Sequence, residues 1–91
     1  MALYIYHVSQ NELMGYDTYS DFVVIAEHDV DARNTHPNSY VNEGVIGSWK
    51  PNPDDIDDSW PKDPKYVKVT LIGKANLNET ARIVCTSFHA G

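Results

Sequence analysis

The stretch FVVIAEHDVDARNTHP, Phe22 to Pro37, constrains the fold more than any other part of the chain. Phe22-Val23-Val24-Ile25 is a short apolar run, mostly β-branched, and it suits a strand covered on both faces. Asp29 reads as an N-cap, with Val30 to His36 as a short helix behind it. Pro37 ends that helix, because the residue before a proline is pushed toward extended backbone. Strand, tight turn and capped helix in one segment give the remaining strands a core to pack on.

Those strands lie on either side. Residues 2–9, ALYIYHVS, set Leu3, Ile5 and His7 on one face and Tyr4, Tyr6 and Val8 on the other. Both faces are mostly apolar or aromatic, which predicts a central strand. Gln10 to Ser20 contains Asn11, Gly15 and Asp17 and is too short for a helical crossover, so the first two strands are expected as an antiparallel hairpin. In YVKVTLIG, 66–73, Val67, Val69 and Leu71 face in while Lys68 and Thr70 face out. RIVCTSF, 82–88, is the last strand, expected to pair with 66–73 across the polar turn at 76–80. Val45-Ile46 offers a little core or a short fifth strand. Residues 47–65 hold four of the five prolines and five acids. Asn52-Pro53-Asp54-Asp55 reads there as a cap followed by one helical turn, and Trp49 and Trp60 are expected to pin this loop to the body. The reading is one domain, 1–91, of α+β class. It has a small, mostly antiparallel sheet of four to five strands, one short helix and a long Pro/Asp-rich loop.

Composition narrows function. A chain of 91 residues buries roughly 60–65% of its unfolded surface. One modest core follows, and binding falls to a surface groove or an interface between copies. Thirteen acids against seven bases, a formal charge of −6, argue against direct binding to nucleic-acid backbones, which need clustered Lys and Arg. The single Cys85 cannot form an internal disulfide, and with no signal-peptide pattern the expectation is a reducing cytoplasm. No run approaches the ~20 apolar residues of a membrane span. Six Tyr, two Trp and two Phe on a small sheet leave apolar area to hide, which predicts a homo-oligomer.

Catalytic and metal motifs are thin. His7, His28, His36, His89 and Cys85 form no HxxxH, HExxH or CxxC, and the run Asp54-Asp55-Ile56-Asp57-Asp58 lacks the central Gly and terminal Glu of a calcium loop. Neither metal nor cofactor is expected. Cys85 sits in an apolar strand pattern where cysteine is usually inert. Ser87 and His89 share a strand face by spacing alone, and there is no GxSxG elbow or phosphate loop. A small hydrolase using Cys85 or His89 is therefore the third reading, behind two non-enzymatic ones.

The first of these starts from Arg33, Asn34 and His36. A planar guanidinium suits phosphate or carboxylate, and His36 three residues on points the same way. Tyr16, Thr18, Tyr19, Trp49, Ser87 and His89 supply stacking faces and donors, so the set describes a clasp for a small anionic, nucleotide-like ligand. The plainer reading pairs Arg33 with Asp29 or Asp31 and makes His36 a helix C-cap. The second binding reading uses Asp54, Asp55, Asp57 and Asp58 with Trp60 as an acidic, aromatic-anchored surface for a basic nucleic-acid-binding protein.

The elements Tyr16 to Ser20, Ala32-Arg33-Asn34-Thr35-His36-Pro37 and Ser87-Phe88-His89-Ala90-Gly91 carry a resemblance. They resemble a family of small uncharacterised proteins of tailed phages and prophages, with a YDTYDS-like turn, an ARxxHP helix end and a terminal strand near SFxAG. The resemblance implies a phage protein in the host cytoplasm. By analogy of class it implies counter-defence, through sequestering a nucleotide immune signal or covering a host defence protein.

Overall fold

The computed structural model describes residues 2–50 and 59–89. Four strands, β1 (Tyr4–Gln10), β2 (Thr18–Ala26), β3 (Val67–Lys74) and β4 (Arg82–His89), form one sheet in the order β3-β1-β2-β4. Every neighbouring pair is antiparallel. The fold is thus a small α+β arrangement with a single short helix, α1 (Asp29–Arg33).

The two strands that are apolar on both faces take the two central places. Tyr4, Tyr6 and Val8 lie opposite Ala26, Val24 and Phe22 on one side of the sheet, and these side chains with Ala32, Trp60 and Val67 make the core. Helix α1 packs against β1, β2 and β3 on that side. Ile5, His7 and Ser9 lie opposite Ile25, Val23 and Asp21 on the other. No helix among the described residues packs on that second face.

The expected hairpin between β3 and β4 does not form. β3 pairs with β1 and β4 with β2, so residues 75–81 cross the end of the central hairpin. Three strand spacings amount to about 14 Å, within reach of seven residues that extend to roughly 23 Å. The physical gain is that each apolar central strand acquires two hydrogen-bonded neighbours, and the more polar strands take the edges. Both edge pairings carry bulges, at Ile5/Tyr6 against β3 and at Tyr19/Asp21 and Val23/Val24 against β4. Leu71, opposite Tyr6 just before the bulge, is 58% exposed at the sheet edge, although its alternation with Val67 and Val69 assigned it to the interior.

The helix differs in detail from its expected form. Asp29 is its first residue and His28 its N-cap, without a side-chain cap bond. It ends at Arg33 because Asn34 to Pro37 turn into the loop that follows. Thr35 Oγ1 donates to Asp31 O at 2.7 Å and accepts from Gly47 N at 2.9 Å. Trp49 N donates to Asn34 O at 3.0 Å, so the 38–50 segment supplies partners for the helix end. Gly47 is required there. Its φ is +84°, and a Cβ would meet the Asp31 side chain at 3.1–3.2 Å. Residues 39–47 form turns rather than a fifth strand, with Ile46 packed on the core. Trp60 is 1% exposed and meets Phe22 edge-on at 5.3 Å, while Trp49 packs partly buried against the core. The helical turn expected at 54–58 lies outside the described residues.

Candidate functional site

The structure distributes the residues expected to clasp a ligand over three places. Arg33 is spent internally. Its Nη1 donates to the carbonyls of Pro64 at 3.1 Å and Val67 at 2.5 Å, bracing the 3-10 turn Pro64–Tyr66 that leads into β3. Those carbonyls, rather than the expected Asp29 or Asp31, are the partners of its guanidinium. Asn34 closes the helix through its backbone. His36 is 2% exposed. Its Nδ1 accepts from Asn38 N at 2.9 Å, and its ring meets Trp49 at 5.5 Å and Tyr19 at 6.3 Å. Asn42, itself buried, holds the backbone of His36 through both ends of its side-chain amide.

Tyr16, Thr18 and His89 meet instead at the tip of the β1–β2 hairpin, around a hollow of about 220 Å³. Tyr16 is 79% exposed there, Thr18 Oγ1 donates to Gly15 O, and His89 O accepts from Asp17 N. Ser87 lies across the sheet from Asp21. Trp60 is committed to the core rather than displayed as an anchor. Asp54, Asp55, Asp57 and Asp58 lie outside the described residues.

Asp21 gathers a polar group on the uncovered face. Ser20 Oγ donates to its Oδ1 at 2.6 Å, and His7 Nε2 donates to its Oδ2 at 2.8 Å. These bonds, the Ser20 bond first, hold the Asp21 carboxyl below the usual carboxylate range. The nearby His7 and His89 add to the lowering, and partial burial opposes it. The order is Ser–Asp–His, with the carboxylate in the middle. A catalytic triad needs the imidazole in the middle, to take the proton from the hydroxyl. Cys85 and His89 are four residues apart on one strand, about 13 Å along it, so the imidazole is not placed to activate the thiol.

A larger concavity lies on the covered side of the sheet, beyond the reach of α1. It is a groove of about 500 Å³ between β4 and the turns at 37–46, within the range of small-molecule sites. Tyr19, Ile46 and Ile83 form its apolar floor, and Asn38, Tyr40, Arg82 and Thr86 its polar rim. Tyr19 is held in place by Phe88 at 4.7 Å and by His36. Tyr40 is 89% exposed at the mouth, and its backbone is set by the Asn38 side chain. Among the described residues no acidic side chain lines the groove, in a chain where acids outnumber bases thirteen to seven. The rim cation Arg82 is held by Glu79 at 3.1 Å, both side chains well exposed. An exposed pair of that kind is worth about 0–1 kcal/mol, little enough for an incoming anion to take the guanidinium over.

Of the expected residues, the groove contains only Tyr19, with His36 and Trp49 as its support. Sequence reasoning passed over Arg82, Tyr40 and Ile83. Two signals pointed to them: the second of only two arginines, and a terminal strand, RIVCTSFH, without one acid. No family model, curated protein or solved structure matches this chain. No helix among the described residues is long and apolar enough to cross a membrane.

Proposed function

We propose that this chain is a non-enzymatic binding protein that holds a small anionic, ring-bearing ligand of nucleotide type in the groove between β4 and residues 37–46. One observation carries the reading: a groove with an arginine on its rim and no acidic side chain among the described residues that line it, in a chain of formal charge −6. Arg82 takes the anionic group, and its planar fork suits a phosphate. Tyr40 stacks on the ring from the mouth while Tyr19 and Ile83 close the apolar floor. Stacking on an aromatic contributes about 1–3 kcal/mol per base. The resemblance to tailed-phage proteins supplies the setting, a counter-defence protein in the host cytoplasm that sequesters a nucleotide immune signal.

The test is equilibrium titration with a panel of linear and cyclic nucleotides, followed by chromatography of the recovered ligand. Wild type is expected to bind at least one of them and return it intact. Arg82→Ala is expected to weaken that binding about 10- to 100-fold, the loss of one charge-assisted contact of roughly 1.5–3 kcal/mol. Equal binding by wild type and Arg82→Ala would overturn the site, and a chemically altered ligand would overturn the non-enzymatic reading.

A further inference from the structure

We infer that β4 is a self-pairing edge, and that two copies of this chain join β4 to β4 in antiparallel register centred on Thr86 to give a continuous eight-stranded sheet. β4 is an edge strand, and among the described residues no backbone hydrogen bond from outside the sheet caps its outer side. Unpaired edges that remain single are normally blunted by charge, proline or bulges. β4 has no acid, lysine or proline in eight residues, and its one bulge, at Val84 between Ile83 and Cys85, leaves 85–89 regular.

The occupant follows from complementarity. A two-fold axis between antiparallel edges lies perpendicular to the sheet, so residues that face each other must share a face. With Thr86 on the axis, Val84 lies opposite the partner's Phe88, and this pair occurs twice. Val84 is 44% exposed and Phe88 46%. Thr86 and Phe88 lie opposite Phe22 and Tyr19 on the covered side, and Val84, two residues before Thr86, lines the groove on that side. An aromatic facing a β-branched residue is a favourable cross-strand pair. The one full charge on the strand, Arg82, falls four residues from the axis. The two copies of it stand ~26 Å apart along the ladder, well beyond the ~8–10 Å screening length.

The opposite edge carries two lysines, Lys68 and Lys74, the residue type that most often keeps an exposed edge single. β3 centred on Leu71 would set Lys68 against the partner's Lys74, two like charges directly opposed. A chain of formal charge −6 associates with itself most easily through an acid-free surface, and β4 is such a surface.

Sedimentation of the full chain tests this, with Val84→Lys against Leu71→Lys as a matched pair. The expected result is twice the chain mass for wild type and Leu71→Lys, and a single chain mass for Val84→Lys with an unchanged circular dichroism spectrum. Wild type at single chain mass throughout a dilution series would overturn the inference. So would Leu71→Lys dissociating while Val84→Lys does not. Should Val84→Lys fail to fold, Thr86→Cys in a Cys85→Ser background decides. On the axis its two thiols fall within disulfide reach, so a covalent dimer is expected on oxidation and its absence overturns the register. The pairing does not depend on what the groove holds: ligand titration and mass measurement fail or succeed separately.

Discussion

Replacing Arg33 by alanine tests whether this arginine serves the fold or a ligand. Its Nη1 makes two hydrogen bonds, to Pro64 O and Val67 O, across 31 and 34 residues of sequence. They hold the turn that delivers Val67, 3% exposed, to the core at the start of β3. A hydrogen bond from a charged donor contributes roughly 1.5–3 kcal/mol, and a buried carbonyl left without a partner costs about 1–3 kcal/mol. Arg33 is only half-buried, so the lower end of each range applies and the sum is about 2–4 kcal/mol. For a domain of this size each kcal/mol moves the melting temperature by ~4–8 °C, so Arg33→Ala is expected to melt roughly 10–30 °C below wild type. Arg33→Lys keeps the charge but not the planar fork, and is expected to recover about half of that loss. Thermal unfolding followed by circular dichroism, with urea midpoints as a cross-check, reads both. Arg33→Ala melting within about 3 °C of wild type, under one kcal/mol on that scale, would refute the bracing role. A folded Arg33→Lys protein that had lost all ligand binding would return Arg33 to the site.

Trp60→Ala removes a fully buried indole from Phe22 and is expected to cost about 3–5 kcal/mol. Trp60→Phe is expected to cost much less, because the buried Nε1–H finds no hydrogen-bond partner among the described residues; a urea series with both variants separates packing from polar loss. Asn42→Ala strips partners from the buried backbone of His36 and is expected to cost about 2–4 kcal/mol. It should also weaken groove binding in whatever fraction stays folded, measured by titration below the melting transition. Asp21→Asn addresses pH. A carboxyl lowered in the folded state stabilises above its unfolded value of about 3.9 and loses that contribution as pH falls through the folded value. Asp21 is partly exposed, so screening leaves about 0.5–1 kcal/mol at neutral pH. The urea midpoints of Asp21→Asn and wild type should therefore differ at pH 7 and converge in strong acid; a gap that persists there would contradict the assignment.

What was legible in the sequence was local. The two-faced apolar pattern of Tyr4 to Val8 and of Phe22 to Ile25 marked the central strands, and the alternation at Val67 and Val69 marked a third. The turn residues before Thr18 marked the hairpin, whereas the helix expected to run to His36 before Pro37 ends at Arg33. Strand order was not legible, because the short polar turn at 76–80 suits a tight hairpin as well as a crossing, and the choice rests on which neighbours β1 and β2 need. Nor was the role of Arg33, whose partners are carbonyls more than thirty residues away and carry no side-chain signature. The groove depends on placing β4 beside the 37–46 turns, so it emerges only once the strand order is known. Tyr19 was singled out for stacking; the fold adds the His36 and Phe88 rings that hold it.

The most direct test of a groove that binds an anionic ring is two-dimensional amide NMR of the labelled protein during nucleotide titration. The expected result is saturable shift changes concentrated on Tyr19, Ser39, Tyr40, Ile83 and Thr86, moved to about 10- to 100-fold higher nucleotide concentration in Arg82→Ala, with the nucleotide recovered unchanged. Shift changes centred instead on Arg33 and the hairpin tip around Tyr16, or none with any nucleotide tried, would contradict it.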